Sequence, residues 1–125
     1  MKKLYIYGGQ ETLEAELYAN SSSEALARLL KKGDITLKTE DYAHMEKFGR
    51  LSERLPRNDE EITARPGDII LSGGDLFVLY YAPNTWNFTR LGKVINKSGQ
   101  ALRAILGSGD ITLTLHLADH EEGEG

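Results

Sequence analysis

Aromatic side chains form the strongest candidate binding site in this sequence. Tyr80, Tyr81, Trp86 and Phe88 lie within nine residues, and Tyr42 lies earlier in the chain in Glu40-Asp41-Tyr42, which is predicted to be a loop. Aromatic residues joined by a few polar groups commonly line ligand pockets, for example in the mouths of β-barrels. The pattern therefore predicts a pocket at a barrel mouth that takes a small molecule or an extended peptide.

The alternative for these aromatic residues is core packing. Tyr80, Tyr81 and Phe88 fall in apolar strand patterns, and large aromatic side chains often fill core positions there. Trp86 differs because it follows Pro83-Asn84-Thr85 in a predicted loop, where packing explains a large aromatic less easily. Both interpretations stay open for each residue.

Arginines offer a second candidate chemistry. Four of them crowd the middle of the chain: Arg50, Arg54, Arg57 and Arg65. A guanidinium can hold a carboxylate or a phosphate through two parallel hydrogen bonds. Acidic residues alternate with them between positions 53 and 61, which favours a solvated mixed-charge loop instead. Arg50 alone falls within a predicted strand, so it joins Tyr42, Tyr80, Trp86 and Phe88 as a candidate ligand contact.

The remaining reactive residue types indicate no metal site and no cofactor, and they leave any catalytic residue unknown. The chain has no cysteine, which excludes thiolate chemistry and thiolate zinc sites. His116 and His120 are four residues apart, but a strand running into a tail does not place them on one face as a helix would. Glu60 and Glu61 fall in a predicted loop, with nothing to bury them or shift their pKa.

Composition indicates a single cytoplasmic domain that binds neither nucleic acid nor membranes. The 125 residues carry a net charge of −4, whereas nucleic-acid binding needs a field of Lys and Arg. The apolar run after Met1-Lys2-Lys3 has four residues, which is short for a signal peptide. No stretch approaches the roughly 20 apolar residues of a membrane helix. The sequence does not indicate the oligomeric state.

Two helices and several short strands can be predicted from apolar periodicity. An opening hairpin precedes a helix whose predicted cap is the capping box Ser21-Ser22-Ser23-Glu24 and whose end is Gly33. A second helix is predicted after Ser98 and ends at Gly107. Each helix leads into the sequence Gly-Asp-Ile-Thr-Leu, at residues 33–37 and 109–113, a constant offset of 76 residues. The repeat indicates either pseudo-symmetry or a convergent helix–cap–strand pattern.

Short strands separated by Gly, Pro and Asn turns complete the domain. They are predicted at residues 47–51, 68–71, 76–81, 91–95 and 111–117. Residues 76–81 are apolar on both faces, as in a strand with a filled interior and a covered exterior. The pattern predicts a mainly β fold, a closed eight-stranded antiparallel barrel with two helices, over residues 1–117. Residues 118–125 are predicted to be a disordered acidic tail.

An ordered set of motifs resembles the small bacterial cyclophilin-like proteins. It includes a strand from Ile35 to Leu37, Glu40-Asp41-Tyr42-Ala43, Glu46-Lys47-Phe48-Gly49, Pro66-Gly67-Asp68-Ile69, Leu91-Gly92-Lys93-Val94 and the closing strand from Asp110 to Leu115. The resemblance covers about residues 3–117 and implies an eight-stranded barrel with a helix at each open end. It also implies a relationship to peptidyl-prolyl isomerases.

The same resemblance exposes departures from the isomerases. Those enzymes use an arginine in a Phe-His-Arg sequence together with a Gln-Gly-Gly run, and this chain has neither. Phe48-Gly49-Arg50 is a loose counterpart, and Lys38 lies nearer the place of the arginine when positions are counted from the first helix. Lysine lacks the planar fork of a guanidinium. The departures favour a binding module, with a divergent prolyl isomerase acting through Arg50 or Lys38 as the alternative.

Overall fold

The computed structural model describes residues 2–107 and 109–118, which form a mainly β domain with two helices. The strands are β1 (Lys2–Gly8), β2 (Glu11–Leu17), β3 (Ile35–Lys38), β4 (Glu40–Tyr42), β5 (Glu46–Arg50), β6 (Glu60–Ala64), β7 (Asp68–Ser72), β8 (Leu76–Tyr80), β9 (Asn84–Val94) and β10 (Thr112–Leu117). The helices are α1 (Ser21–Lys31) and α2 (Gly99–Leu106).

The strands form one antiparallel, nearly closed barrel. Nine of them follow the order β3-β10-β1-β2-β9-β7-β8-β5-β4, and β6 pairs with β9 off this path. The two ends of the sheet approach where a Cβ on Gly49 of β5 would lie 2.9 Å from the Cβ of Leu37 on β3. The predicted fold class is confirmed, whereas the number of eight strands was wrong.

Two segments predicted as loops account for the extra strands. Glu40-Asp41-Tyr42 pairs with β5 as β4, and the mixed-charge segment of Glu60 and Glu61 pairs with β9 as β6. In β6 the charged residues are exposed, while Ile62 and Ala64 are buried at alternate positions. This two-residue alternation was hidden by the high charge of the surrounding sequence, which suggested solvated loop.

Apolar faces of both helices join the inward-facing strand residues in one core. Leu26 and Leu30 of α1 and Leu102 and Leu106 of α2 are buried in it, as their helical spacing predicts. The cap of α1 differs from the predicted capping box, because the Asn20 side chain accepts the hydrogen bond from the Ser23 N–H at 2.8 Å. The predicted Ser98 cap of α2 is confirmed.

A second apolar cluster lies on the outer face of the barrel. Val78 and Tyr80 of β8 belong to it, whereas their neighbours Phe77 and Leu79 point into the main core. The strand β6 and the first half of β9 cover this outer face, contributing Ile62, Ala64 and Phe88. The prediction that residues 76–81 are covered on both faces is confirmed.

A β-bulge at Leu91 allows β9 to pair both with the barrel strands and with β6 on the outer face. Ile69 of β7 pairs with Gly92, whereas the next residue, Ile70, pairs with Arg90, so Leu91 is the extra residue. The first half of β9 pairs with β6, and its last residues pair with β2. Bulges bend a strand and increase its twist, which carries β9 from the barrel to the outer layer.

The two copies of the repeated pentapeptide pair with each other. Leu37 on β3 faces Leu113 on β10 in an antiparallel ladder, and these residues are separated by the repeat offset of 76. The two copies therefore run antiparallel, and the leucines that face each other occupy the same position in each copy. A local two-fold axis would produce this arrangement. This register favours the pseudo-symmetric interpretation of the repeat.

The described chain ends just after β10. Ala118 is buried, and its N–H donates to the Lys3 carbonyl at 3.0 Å. The rest of the predicted acidic tail, with His120, lies outside the described residues. In the part of the chain that the structure describes, no helix is long and apolar enough to cross a membrane.

We expect Gly92→Ala to lower the free energy of unfolding by about 3 kcal/mol or more. A Cβ at position 92 would lie 2.2 Å from the Glu16 carbonyl oxygen, a backbone atom that can move only if β2 and β9 separate. Gly8→Ala is the matched control, because a Cβ there meets the ends of the Leu113 and Ile111 side chains. We expect the control to change stability by less than about 1 kcal/mol. Urea unfolding measures both, and equal losses would contradict the close approach of β2 to Gly92.

Candidate functional site

A cavity of about 430 Å³ opens on the outer face of the barrel. Its lining residues come from the turn between β4 and β5 and from strands β4, β5, β7, β8 and β9: Tyr42, Ala43, Met45, Glu46, Phe48, Ser72, Leu76, Tyr80, Asn84, Trp86 and Phe88. The size is in the usual range of small-molecule pockets, and aromatic side chains dominate the walls. We refer to these residues as the outer pocket.

Four of the five predicted ligand contacts line the outer pocket. Tyr42, Tyr80, Trp86 and Phe88 meet there, whereas Arg50 does not. They meet on the outer face of the barrel rather than at the predicted barrel mouth, because Leu76 and Tyr80 of β8 face away from the core that Phe77 and Leu79 fill. The ligand-binding role of these residues stays a prediction.

Trp86 lies on a strand, which corrects its predicted loop position. It pairs with Ile62 of β6 in the first half of β9. Pro83-Asn84-Thr85 suggested a turn, but that segment leads directly into β9 because β6 supplies a partner for residues 84–88. A pairing with a strand about 20 residues earlier leaves no signal in the local sequence.

The walls of the outer pocket combine anchored and exposed rings. Tyr80 and Phe88 are buried, and their ring centroids lie 5.7 Å apart at an interplanar angle of 59°. Trp86 and Tyr42 are 67% and 57% exposed. The core interpretation thus holds for the first pair, which forms the fixed wall. The second pair places large aromatic surface in solvent beside the cavity, as at a binding site.

The polar part of the outer pocket is acidic. Glu46 on β5 lies directly across from Tyr80 on β8 and is buried. Burial raises the pKa of the Glu46 carboxyl, the Tyr80 hydroxyl opposes this rise, and the nearby Asp41 carboxylate adds to it. Burial also raises the pKa of the Tyr80 hydroxyl, which accepts a hydrogen bond from the Asn84 side chain at 3.0 Å.

The turn at the rim of the outer pocket has an unusual backbone. Ala43 and His44 have φ angles of 55° and 54°, a left-handed conformation that costs about 1 kcal/mol or more for residues other than glycine. The Met45 N–H closes the turn on the Tyr42 carbonyl at 2.9 Å, and the His44 N–H donates to the Asp41 carboxylate at 3.0 Å. Asp41 therefore holds the rim in this conformation.

Asp41 is itself held by two buried residues, Lys47 on β5 and Tyr81 directly after β8. The ammonium of Lys47, whose side chain is 1% exposed, lies 3.2 Å from the Asp41 carboxylate, and the Tyr81 hydroxyl donates to it. Burial would raise the pKa of Asp41, but the hydrogen bonds from Tyr81, Lys47 and His44 outweigh it and lower the pKa. Burial and the Asp41 charge raise the pKa of Tyr81 to about 12.

Arg50 and Lys38 lie in a neighbouring polar cleft of about 320 Å³. Phe48 and Leu76 line both this cleft and the outer pocket and so form the boundary between them. The Arg50 guanidinium is paired with the Asp75 carboxylate, and its side chain is 68% exposed. Among the described residues, neither Lys nor Arg lines the outer pocket.

The described residues show no metal centre. No group of three or more His, Asp or Glu side chains is placed to hold an ion in the part of the chain that was described. His116 instead contacts the exposed Asp34 carboxylate at 2.8 Å.

Sequence reasoning missed several members of the outer pocket. Met45, Glu46 and Asn84 were not predicted there, and Phe48 and Leu76 were noted only for other reasons. A partial signal existed for Phe48, which lies on the strand predicted at residues 47–51; Glu46 directly precedes that strand and shares a face with Phe48 once the strand is extended by one residue. Their register against Tyr80 and Val78 was needed to show that this face is the outer one.

Comparison with known proteins gives one family match. Residues 6–116 match the family model described as the Cyclophilin-like family. No curated protein matches the chain.

We expect Asp41→Asn to lower the free energy of unfolding at neutral pH by about 3 kcal/mol, because it leaves the buried Lys47 charge unpaired. The pKa of Asp41 is lowered in the folded protein, so its carboxylate stabilises the fold above the ordinary value of 3.8. This contribution is lost as the pH falls through the folded-state pKa, and the difference from the native protein shrinks there.

Urea unfolding at several pH values measures this effect. Asp34→Asn is the matched control, since its carboxylate makes only an exposed contact with His116 and should change stability by less than about 1 kcal/mol. A loss for Asp41→Asn no larger than that of the control would contradict the role of Asp41.

Proposed function

Since the chain belongs to the cyclophilin-like family, we propose that it is a binding module whose outer pocket holds a side chain of an extended peptide or a small molecule. The observation that carries this proposal is the outer pocket itself, a cavity of about 430 Å³ walled by aromatic residues. Its fixed wall, Tyr80 and Phe88, is part of the second apolar cluster and is packed with Ile62, Ala64 and Val78.

The exposed rings of Trp86 and Tyr42 provide apolar surface whose burial would drive ligand binding. Trp86 and Tyr42 keep more than half of their surface in water. Removing apolar surface from water contributes about 25 cal/mol per Å² to the free energy of binding. A ligand between the exposed rings and the fixed wall would cover apolar surface on both sides. The fixed wall needs no rearrangement, because Tyr80 and Phe88 are already packed together. Preorganisation of this kind reduces the entropic cost of binding.

A divergent prolyl isomerase is the second candidate. The observation that favours it is the shared boundary of Phe48 and Leu76, which sets the cleft of Arg50 and Lys38 beside an apolar pocket. A proline ring in the pocket would then lie next to a cation in the cleft. The pairing of Arg50 with Asp75 opposes this function, since the guanidinium already has a carboxylate partner.

Fluorescence of Trp86 tests binding directly, because Trp86 is the single tryptophan of the chain. We expect N-acetyl-leucinamide, a neutral apolar probe, to shift the emission to shorter wavelength in a saturable manner as the ring leaves water. Tyr42→Ala should weaken binding about fivefold by removing an exposed wall. Tyr7→Ala is the control, since Tyr7 is also exposed but does not line the outer pocket. An emission that stays constant up to the solubility limit of N-acetyl-leucinamide would exclude a pocket for neutral apolar ligands.

A low-temperature assay of X-Pro peptides separates the two candidates. Uncatalysed exchange takes tens to hundreds of seconds, so modest catalysis is measurable. We expect the native protein to leave this rate unchanged, because no cation lines the outer pocket in the described residues. Acceleration that is lost in Arg50→Ala or Lys38→Ala would instead identify a divergent isomerase.

A further inference from the structure

The outer pocket contains an acidic group that a purely apolar ligand would leave without a charge partner. Glu46 is 9% exposed and lines the cavity beside Tyr80. Among the described residues, no Lys or Arg lines the outer pocket with it. The nearest cation in the chain order, Lys47, points to the other face of β5 and is bound to Asp41.

Burial of a carboxylate is costly unless an opposite charge or several hydrogen bonds stabilise it. Here the Tyr80 hydroxyl stabilises the Glu46 carboxylate, while Asp41 acts against it. Burial raises the pKa of Glu46, which agrees with a carboxyl that has lost water and has no cation among the described residues lining the cavity. A cationic group in the cavity would supply the missing charge.

The aromatic walls of the outer pocket also favour a positively charged ligand. Five aromatic residues line the cavity around Glu46: Tyr42, Phe48, Tyr80, Trp86 and Phe88. Aromatic rings attract cations through their quadrupoles, and Trp and Tyr do so best. Organic ammonium groups, which are apolar at the carbon atoms and positive overall, are complementary to such walls combined with one carboxylate.

We propose that the ligand of the outer pocket carries an organic ammonium group, which contacts Glu46 and is enclosed by the aromatic walls. This inference rests on the proposed binding function and adds the chemical class of the ligand. The ammonium group is either part of a free small molecule or the end of a lysine side chain on a peptide. The net charge of −4 favours the approach of either cation over long distances.

A matched pair of probes tests the charge preference. Choline and 3,3-dimethyl-1-butanol have the same shape, and only choline is charged. We expect choline to bind about tenfold more tightly by Trp86 fluorescence at constant ionic strength. The peptides N-acetyl-Gly-Lys-Gly-amide and its norleucine analogue form a second pair, and comparison of the two cations distinguishes a free ligand from a lysine side chain.

Glu46→Gln tests the role of the carboxylate. We expect it to reduce the preference for choline by about fivefold and to leave binding of the neutral alcohol within about twofold. Glu61→Gln is the matched control, because it makes the same change in net charge at an exposed position outside the outer pocket. If Glu46→Gln does not fold, the comparison of choline with the neutral alcohol on the native protein still tests whether the outer pocket prefers an ammonium group.

The outcomes separate this inference from the proposed function. Alcohol binding as tight as choline binding would overturn the ammonium inference and leave the binding module in place. A constant Trp86 emission with both probe pairs and with the neutral apolar probes would overturn both. A preference for choline that Glu61→Gln reduces as much as Glu46→Gln would show attraction by net charge alone and would overturn the role of Glu46.

Discussion

The bend of β9 at Leu91 is the constraint on which the other features of the domain depend. The Leu91 carbonyl accepts hydrogen bonds from the Tyr18 N–H at 2.9 Å and from the Ser23 hydroxyl at 2.8 Å. Asn20, the cap of α1, also donates to the neighbouring Arg90 carbonyl at 2.9 Å. The start of α1 is thereby fixed to the bulge, so helix and bend stabilise each other. The first half of β9, which precedes the bulge in the chain, pairs with β6 instead of the barrel strands. Together with β6 it covers the outer face of the barrel.

The outer pocket exists because this covering layer is incomplete. Ile62, Ala64 and Phe88 cover part of the outer face, and the remainder is left open between Phe88 and the turn that follows β4. The rim on that side has two residues with left-handed backbone, held by the buried Asp41 network. Strained conformations of this kind persist where surrounding contacts determine them, and they are frequent at binding sites. The network of Asp41, Lys47 and Tyr81 thus links the inside of the barrel to the shape of the rim.

Charge is divided between two neighbouring cavities. The cleft is lined by the cations Arg50 and Lys38 together with Glu40, whereas the outer pocket is lined by the carboxyl of Glu46 and by neither Lys nor Arg among the described residues. Phe48 and Leu76 separate the two, so each can select its own chemistry. The family match covers most of the chain, but it does not assign a ligand to either cavity. Local chemistry therefore carries the functional argument, since one fold can host unrelated functions.

The sequence by itself determined those elements whose signals are local. Helices α1 and α2 were predicted from the helical spacing of their apolar residues. The hairpin of β1 and β2 was predicted from alternating apolar residues on either side of the Gly8-Gly9 turn. The aromatic residues Tyr42, Tyr80, Trp86 and Phe88 were also singled out from their types and spacing. The exposed charges of β6 and the apparent turn before Trp86 concealed β6 and the first half of β9, because these two segments pair with each other across 20 to 28 residues.

Only the tertiary structure decided on which side of the barrel the aromatic residues meet. Side chains alternate along a strand, so a sequence pattern shows that Leu76, Val78 and Tyr80 share a face without showing which face is inside. The register of β5 against β8 brings Glu46 to Tyr80, and the bulge in β9 brings Trp86 and Phe88 above them. Both are long-range pairings whose free energy comes from burial of the whole sheet, and no short segment of the sequence contains that information.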